Sequence, residues 1–119
     1  MTEIQNKKTF NLEKRTAEFA KRTRNFCKNV RKDFINLEYL KQLIRSSGSI
    51  GANYIEANES LSKKDFVMRV KICRKEAKES IYWLNLIEID DKLDTERNYL
   101  IDECAQLMKI LGSILEKCK

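Results

Sequence analysis

With 119 residues, no proline, three glycines and 35% charged residues, the chain reads as one domain of long helices joined by short connections. It has no histidine, which removes the commonest general base and metal ligand and excludes the Glu-x-x-His pairs of a ferritin-like di-iron centre. The formal charge of +6 suits a polyanion or an acidic partner, and no run reaches the ~18 apolar residues of a membrane span.

Residues 1–10 are polar and aperiodic, so a frayed N-terminus is predicted there, with the folded domain over 11–119. The opening M-T-E-I-Q-N-K-K has no apolar core of a secretory signal, and a soluble cytoplasmic protein is expected. From Asn11 to Lys32, Leu12, Phe19, Phe26, Cys27 and Val30 recur at helical spacing. Lys14, Lys21, Arg24, Lys28 and Arg31 fall on other stripes of that helix, which gives it a basic outer face.

Phe34-Ile35-Asn36 reads as the first connection, with Asn36 as N-cap and Ile35 and Leu40 as a hydrophobic staple. The second helix carries Leu40, Leu43, Ser47, Ile50, Tyr54 and Ala57 on three- and four-residue steps. This ladder runs through the small-residue stretch Ser47, Gly48, Ser49, Gly51 and Ala52 without losing phase. Each interior glycine costs roughly 1 kcal/mol relative to alanine. An unbroken ladder makes them a thin section where a neighbouring helix approaches closely, rather than a turn. The helix is predicted to end at Asn58 in a left-handed conformation.

Ser62 and Asp65 form the start of a capping box for the third helix. That helix buries Phe66, Val70, Cys73, Ala77, Ser80, Ile81, Leu84 and Ile87 and displays Lys64, Lys71, Lys75 and Lys78. Its end is apolar nearly all round, which calls for cover from two sides. Tyr82 and Trp83 lie in that segment and read as interface or core before base-stacking groups. An acidic loop follows, with Asp94 or Thr95 as cap. Leu100, Cys104, Leu107, Leu111, Ile114 and Cys118 then form the fourth apolar ladder, flanked by Ile101, Met108 and Leu115. Four such helices with short loops predict an all-α, antiparallel up-down-up-down four-helix bundle.

No catalytic constellation, cofactor site or metal site is predicted, and the protein is not expected to be an enzyme. The four cysteines lie far apart without a C-x-x-C pair and read as reduced core residues. Arg45, Ser49, Asn53, Glu56 and Ser60 form a polar stripe on the second helix. Arg45 and Glu56 stand about 16 Å apart along its axis, so any pairing must reach another helix or chain. The basic balance concentrates in residues 1–36, with ten Lys or Arg against four acids, and 63–79, with seven against three. Residues 88–103 reverse it, with two against seven. Lysine stripes of this kind suit a phosphate backbone without sequence readout. The nucleic-acid candidates are Lys14, Lys21, Arg24, Lys28, Arg31, Lys71, Lys75 and Lys78. The candidates for helix packing or self-association are Arg45, Gly48, Gly51, Ala52, Asn53 and Glu56. The alternative is a scaffold for an acidic protein partner, with no direct binding of RNA or DNA.

The stretch R-S-S-G-S-I-G-A-N-Y-I-E-A from Arg45 to Ala57, then Asp65-Phe66, then E-A-K-E-S-I-Y-W-L from Glu76 to Leu84, resembles the four helix bundle protein family. These are the S23-like proteins encoded in intervening sequences of bacterial 23S ribosomal RNA genes; the accessory variability proteins of diversity-generating retroelements are similar to them. The resemblance covers residues from about 12 to 117. It is most specific at Ser49-Ile50, Ala52-Asn53 and Glu56, while Gly51 and Asn58 depart from the family pattern. It implies a four-helix protomer, a ring-like homopentamer and no enzymatic activity. In the retroelement branch it further implies a basic surface for nucleic acid and a reverse transcriptase as partner.

Overall fold

The computed structural model of the chain describes residues 11–119; the segment 1–10 lies outside the described residues. Four helices carry the fold: α1 (Leu12–Lys28), α2 (Phe34–Asn58), α3 (Lys63–Leu86) and α4 (Asp94–Lys117), with a 3-10 turn at Asp91–Leu93 before α4. No helix among the described residues is long and apolar enough to cross a membrane.

Pairings between the helices fix the up-down course. Residues 45, 46 and 53 of α2 meet residues 76, 80 and 69 of α3, so the two run antiparallel. Gly51 lies against Thr16 and Asn58 bonds Glu13, which sets α1 antiparallel to α2. Arg15 meets Glu103 and Arg22 meets Glu96, which does the same for α1 and α4. α2 packs on α1 and α3, and α4 closes the ring against α3 and, more thinly, α1. The first and third helices therefore stand at opposite corners of the bundle.

The apolar ladders supply the core. Leu43, Ile50, Val70, Leu84, Leu100 and Leu107 are fully buried, each worth about 1.5–3 kcal/mol as a large apolar side chain removed from water. The α2 ladder from Leu40 to Ala57 is buried at every predicted position. On α4 the ladder drifts: Leu115 is buried while Ile114 and Cys118 are half-buried. A straight helix turns about 20° per heptad relative to a seven-residue repeat, and over two heptads that moves the core from one seven-spaced row to the next.

Several predicted boundaries change. α1 ends at Lys28, and the Lys32 ammonium turns back to donate to the carbonyls of Cys27, Lys28 and Val30 at 2.9, 3.0 and 2.7 Å. A cation there answers the negative end of the helix. The N-cap of α2 is Asp33, whose carboxylate accepts from the Asn36 backbone N–H at 2.8 Å. Asn36 is not a cap but a buried strut. Its amide donates to the Arg31 and Glu88 carbonyls at 3.0 and 2.9 Å, and its Oδ1 accepts from the Glu88 N–H at 3.1 Å. It thus ties the first connection to the third. Ile35 is exposed, so the predicted staple is not formed. Asn58 is the last helical residue but not left-handed; among the described residues none has positive φ. Ser62 caps α3 as predicted, accepting from the Asp65 N–H at 3.1 Å. Asp94 and Thr95 do not cap α4; Leu93, at the end of the 3-10 turn, precedes it without a side-chain bond.

Candidate nucleic-acid interface

The outer face of α3 repeats in steps of four and three residues: Lys64, Met68, Lys71, Lys75, Lys78 and Tyr82. All six are exposed, and the helical period lines them up along one outward stripe about 27 Å long. None of its lysines has a carboxylate within 4 Å among the described residues. Glu76 and Glu79, the acids beside Lys75 and Lys78, turn toward α2, where both pair with Arg45 at 3.2 and 2.8 Å.

The basic face of α1 is differently engaged. Arg15 forks onto Glu103 at 2.7 and 2.9 Å and also reaches Gln106. Arg22 forks onto Glu96 at 2.7 and 3.0 Å and lies 3.6 Å over the Tyr99 ring. Arg31 reaches Asp33 and Glu88. The hydrogen bond to Glu103 raises the pKa of Arg15, and the bond to Glu96 raises that of Arg22. Of the predicted α1 residues, Lys14, Arg24 and Lys28 are exposed without an acidic partner among the described residues, and Lys21 has only Glu18 at 3.9 Å. The predicted basic residues therefore form two stripes on opposite corners, not one patch.

The polar stripe of α2 resolves into bonds between helices. Arg45 holds Glu76 and Glu79, and the Asn53 Oδ1 accepts from Arg69 at 3.0 Å. Behind them the Ser46 and Ser80 hydroxyls meet at 2.8 Å in the core. Glu56 is exposed and its carboxylate has no cationic partner among the described residues. Of the two glycines, Gly51 alone provides the predicted close approach within the bundle. A Cβ there would stand 2.8 Å from the Thr16 Oγ1 and 3.2 Å from its Cβ, whereas Gly48 faces open space and Ala52 is exposed. Sequence spacing could not separate them, because the discriminating atom belongs to α1.

Gly48 instead belongs to an exposed apolar seam. Leu37, Ile44, Gly48 and Ile55 share the side of α2 that faces α1, and all are exposed. Beside it runs a shallow groove between the two helices, floored by Ala20, Ser47 and Gly48 and rimmed by Lys21 and Arg24.

The thiols offer little chemistry. Burial pushes Cys27 up to about 11 and Cys73 and Cys104 up to about 12, so all three stay protonated at neutral pH. The Cys104 Sγ donates to the Ala77 carbonyl at 3.0 Å. Sequence reasoning missed three features here: the exposed Met68 and Tyr82 within the lysine row, Glu76 and Glu79 as partners of Arg45, and the Asn36 strut. Only the first had a readable signal, the four-three spacing of residues 64 to 82.

A family model described as 23S rRNA-intervening sequence protein matches residues 8–113. Among solved structures, the chain is similar to a protein of unknown function from the S23 ribosomal protein family of Bacteroides thetaiotaomicron. The two are 30% identical with a TM-score of 0.75, over 91% of this chain and 97% of that one. No curated protein sequence matches it.

Proposed function

The chain belongs to the 23S rRNA-intervening sequence protein family, and from that starting point we propose that it is a non-enzymatic, self-associating bundle that binds RNA or DNA through its lysine stripes. The observation that carries this reading is the outward row Lys71, Lys75 and Lys78, which has no carboxylate partner among the described residues. Cations left free along one helix face suit a phosphate backbone, where each neutralised phosphate steepens the salt dependence by about 0.9 log units per log unit of salt. No element of the bundle presents base-reading side chains in a helix-turn-helix or ribbon arrangement, so binding without sequence preference is the form proposed.

Self-association is proposed through the α2 seam, where Leu37, Ile44 and Ile55 expose apolar surface around the hollow at Gly48 and Ala52. A contiguous exposed apolar patch rimmed by polar residues marks an interaction surface. The ring of five implied by the family resemblance is the proposed assembly. The test is direct. In gel shifts at low salt, wild-type protein should retard mixed RNA and DNA, and Lys71→Glu/Lys75→Glu/Lys78→Glu should weaken the shift sharply. Light scattering should return a multiple of the 14.1 kDa chain. Absence of any shift at low salt would refute the binding reading, and a monomer would refute the assembly. If charge reversal disturbs assembly but not nucleic-acid affinity, the acidic protein partner or reverse transcriptase of the alternative reading takes its place.

A further inference from the structure

The lysine row of α3 ends in an aromatic group that the bundle core does not use. Tyr82 is 58% exposed and lies in line with Lys71, Lys75 and Lys78. Its ring meets Trp83 edge-on, with centroids 5.0 Å apart and planes at 69°. Trp83 in turn stacks on Tyr39 of α2 at 6.0 Å and 30°. A half-buried aromatic pair bridging two helices thus backs the exposed ring. The four-residue step from Lys78 to Tyr82 is about 6 Å along the axis, within the reach of adjacent nucleotides of an extended strand.

From this we infer that the α3 stripe is a site for single-stranded nucleic acid, in which the lysines hold consecutive phosphates and an unpaired base stacks on the Tyr82 ring. The inference rests on the nucleic-acid reading above and narrows it. A duplex offers the same phosphates, but its bases are already stacked and have no free face for Tyr82. A single strand offers both, and stacking on an exposed aromatic is tolerant of base identity, consistent with binding that reads no sequence. Glu76 and Glu79, the acids beside Lys75 and Lys78, are turned away onto Arg45 and do not oppose the strand.

Trp83 is the only tryptophan, so a base stacked beside it has a built-in reporter. The experiment titrates the full chain with a fluorescent oligothymidylate, a duplex of equal length and inorganic polyphosphate. It compares wild type, Tyr82→Phe and Tyr82→Ala, with circular dichroism melts to verify folding. The single strand should bind more tightly than the duplex and should quench Trp83, while polyphosphate should bind without quenching. Tyr82→Ala should weaken the single strand by about tenfold and leave polyphosphate unchanged, and Tyr82→Phe should behave as wild type. The inference is overturned if Tyr82→Ala binds the single strand as wild type does, or if Tyr82→Phe loses as much as Tyr82→Ala. In either case persisting polyanion binding leaves the broader reading standing. If none of the three ligands binds at low salt, the nucleic-acid reading fails and this inference with it.

Discussion

Two glycines three residues apart on α2 make a controlled comparison of helix propensity with packing. Alanine at either position gains the same propensity, roughly 1 kcal/mol, because both sit inside one helix. The Cβ added at Gly48 meets nothing within 4 Å, whereas the one added at Gly51 stands 2.8 Å from the Thr16 Oγ1 and 3.2 Å from the Thr16 Cβ. Rotating Thr16 does not relieve this, since its Cβ is fixed to the backbone and its hydroxyl is bonded to the Leu12 carbonyl at 2.7 Å. Overpacking of this kind costs about 1–3 kcal/mol. At about 2.1 cal/mol/K of unfolding entropy per residue, 1 kcal/mol is roughly 4 °C in Tm for a chain of this size. At a concentration low enough to leave the chain unassembled, Gly48→Ala should therefore raise Tm by about 4 °C, and Gly51→Ala should melt about 4–12 °C below Gly48→Ala. Thr16→Ala combined with Gly51→Ala should recover most of the loss, giving a coupling of at least about 1 kcal/mol in the double-mutant cycle. The assay is thermal unfolding by circular dichroism at one fixed protein concentration, because assembly shifts Tm by mass action. A Gly51→Ala protein as stable as Gly48→Ala would refute the close approach. A Gly48→Ala protein that gains Tm at low concentration but falls below wild type at concentrations where wild type assembles would place a second copy over Gly48.

Three further outcomes follow from the same structure. Asn36→Ala removes three part-buried hydrogen bonds that tie the first connection to the third; urea unfolding should show a loss of about 1–3 kcal/mol, and a loss under 0.5 kcal/mol would contradict the strut. Of the four thiols, Cys118 should react first with Ellman's reagent at pH 7.5, because Cys27, Cys73 and Cys104 are buried and protonated; equal rates for all four would overturn that assignment. The Asn36 N–H and then Arg31 hold the Asp33 carboxyl below the usual carboxylate range. A depressed folded pKa contributes stability above the unfolded value of about 3.9, lost as pH falls through the folded value. Between pH 6 and pH 3 wild type should thus lose more stability than Asp33→Asn, which keeps a capping oxygen but does not titrate; equal losses in urea melts would remove Asp33 from the acid response.

Much of this architecture is legible in the residue ladder because burial on a helix repeats with the helix. The six predicted positions of α2 from Leu40 to Ala57 are buried for that reason, and the Ser62 cap is readable because its acceptor and donor lie three residues apart in the chain. Legibility fails where the deciding atom is far away in sequence. Asp33 and Asn36 are equally good capping residues on paper; what separates them is Glu88, 52 positions further on, whose backbone offers Asn36 a donor and an acceptor. Gly48 and Gly51 look alike until Thr16 is placed against one of them. The lysine rows of α1 and α3 are exposed, but only the order of helices around the bundle shows that they point away from each other.

The same order gives part of the acidic stretch 88–103 a role inside the bundle. Glu96 and Glu103 receive Arg22 and Arg15 of α1, and Glu88 receives Arg31 of the first connection. Arginine and lysine are divided accordingly. Arg15, Arg22, Arg31, Arg45, Arg69 and Arg97 all bond side chains or carbonyls of another element or connection, where a planar fork fits a carboxylate better than a point charge does. The free outward rows are chiefly lysine, a hydrated point charge suited to loose phosphate contact. Swapping the two types should therefore have opposite consequences. Arg15→Lys gives up the fork on a partly buried Glu103 and should cost about 1 kcal/mol, after allowance for screening at a site that is 27% exposed. Lys75→Arg keeps the charge of the row and should leave both stability and low-salt affinity for RNA or DNA unchanged. Urea midpoints and anisotropy titrations on the two variants read both quantities. If Arg15→Lys is silent and Lys75→Arg is not, the division between structural arginines and binding lysines is wrong.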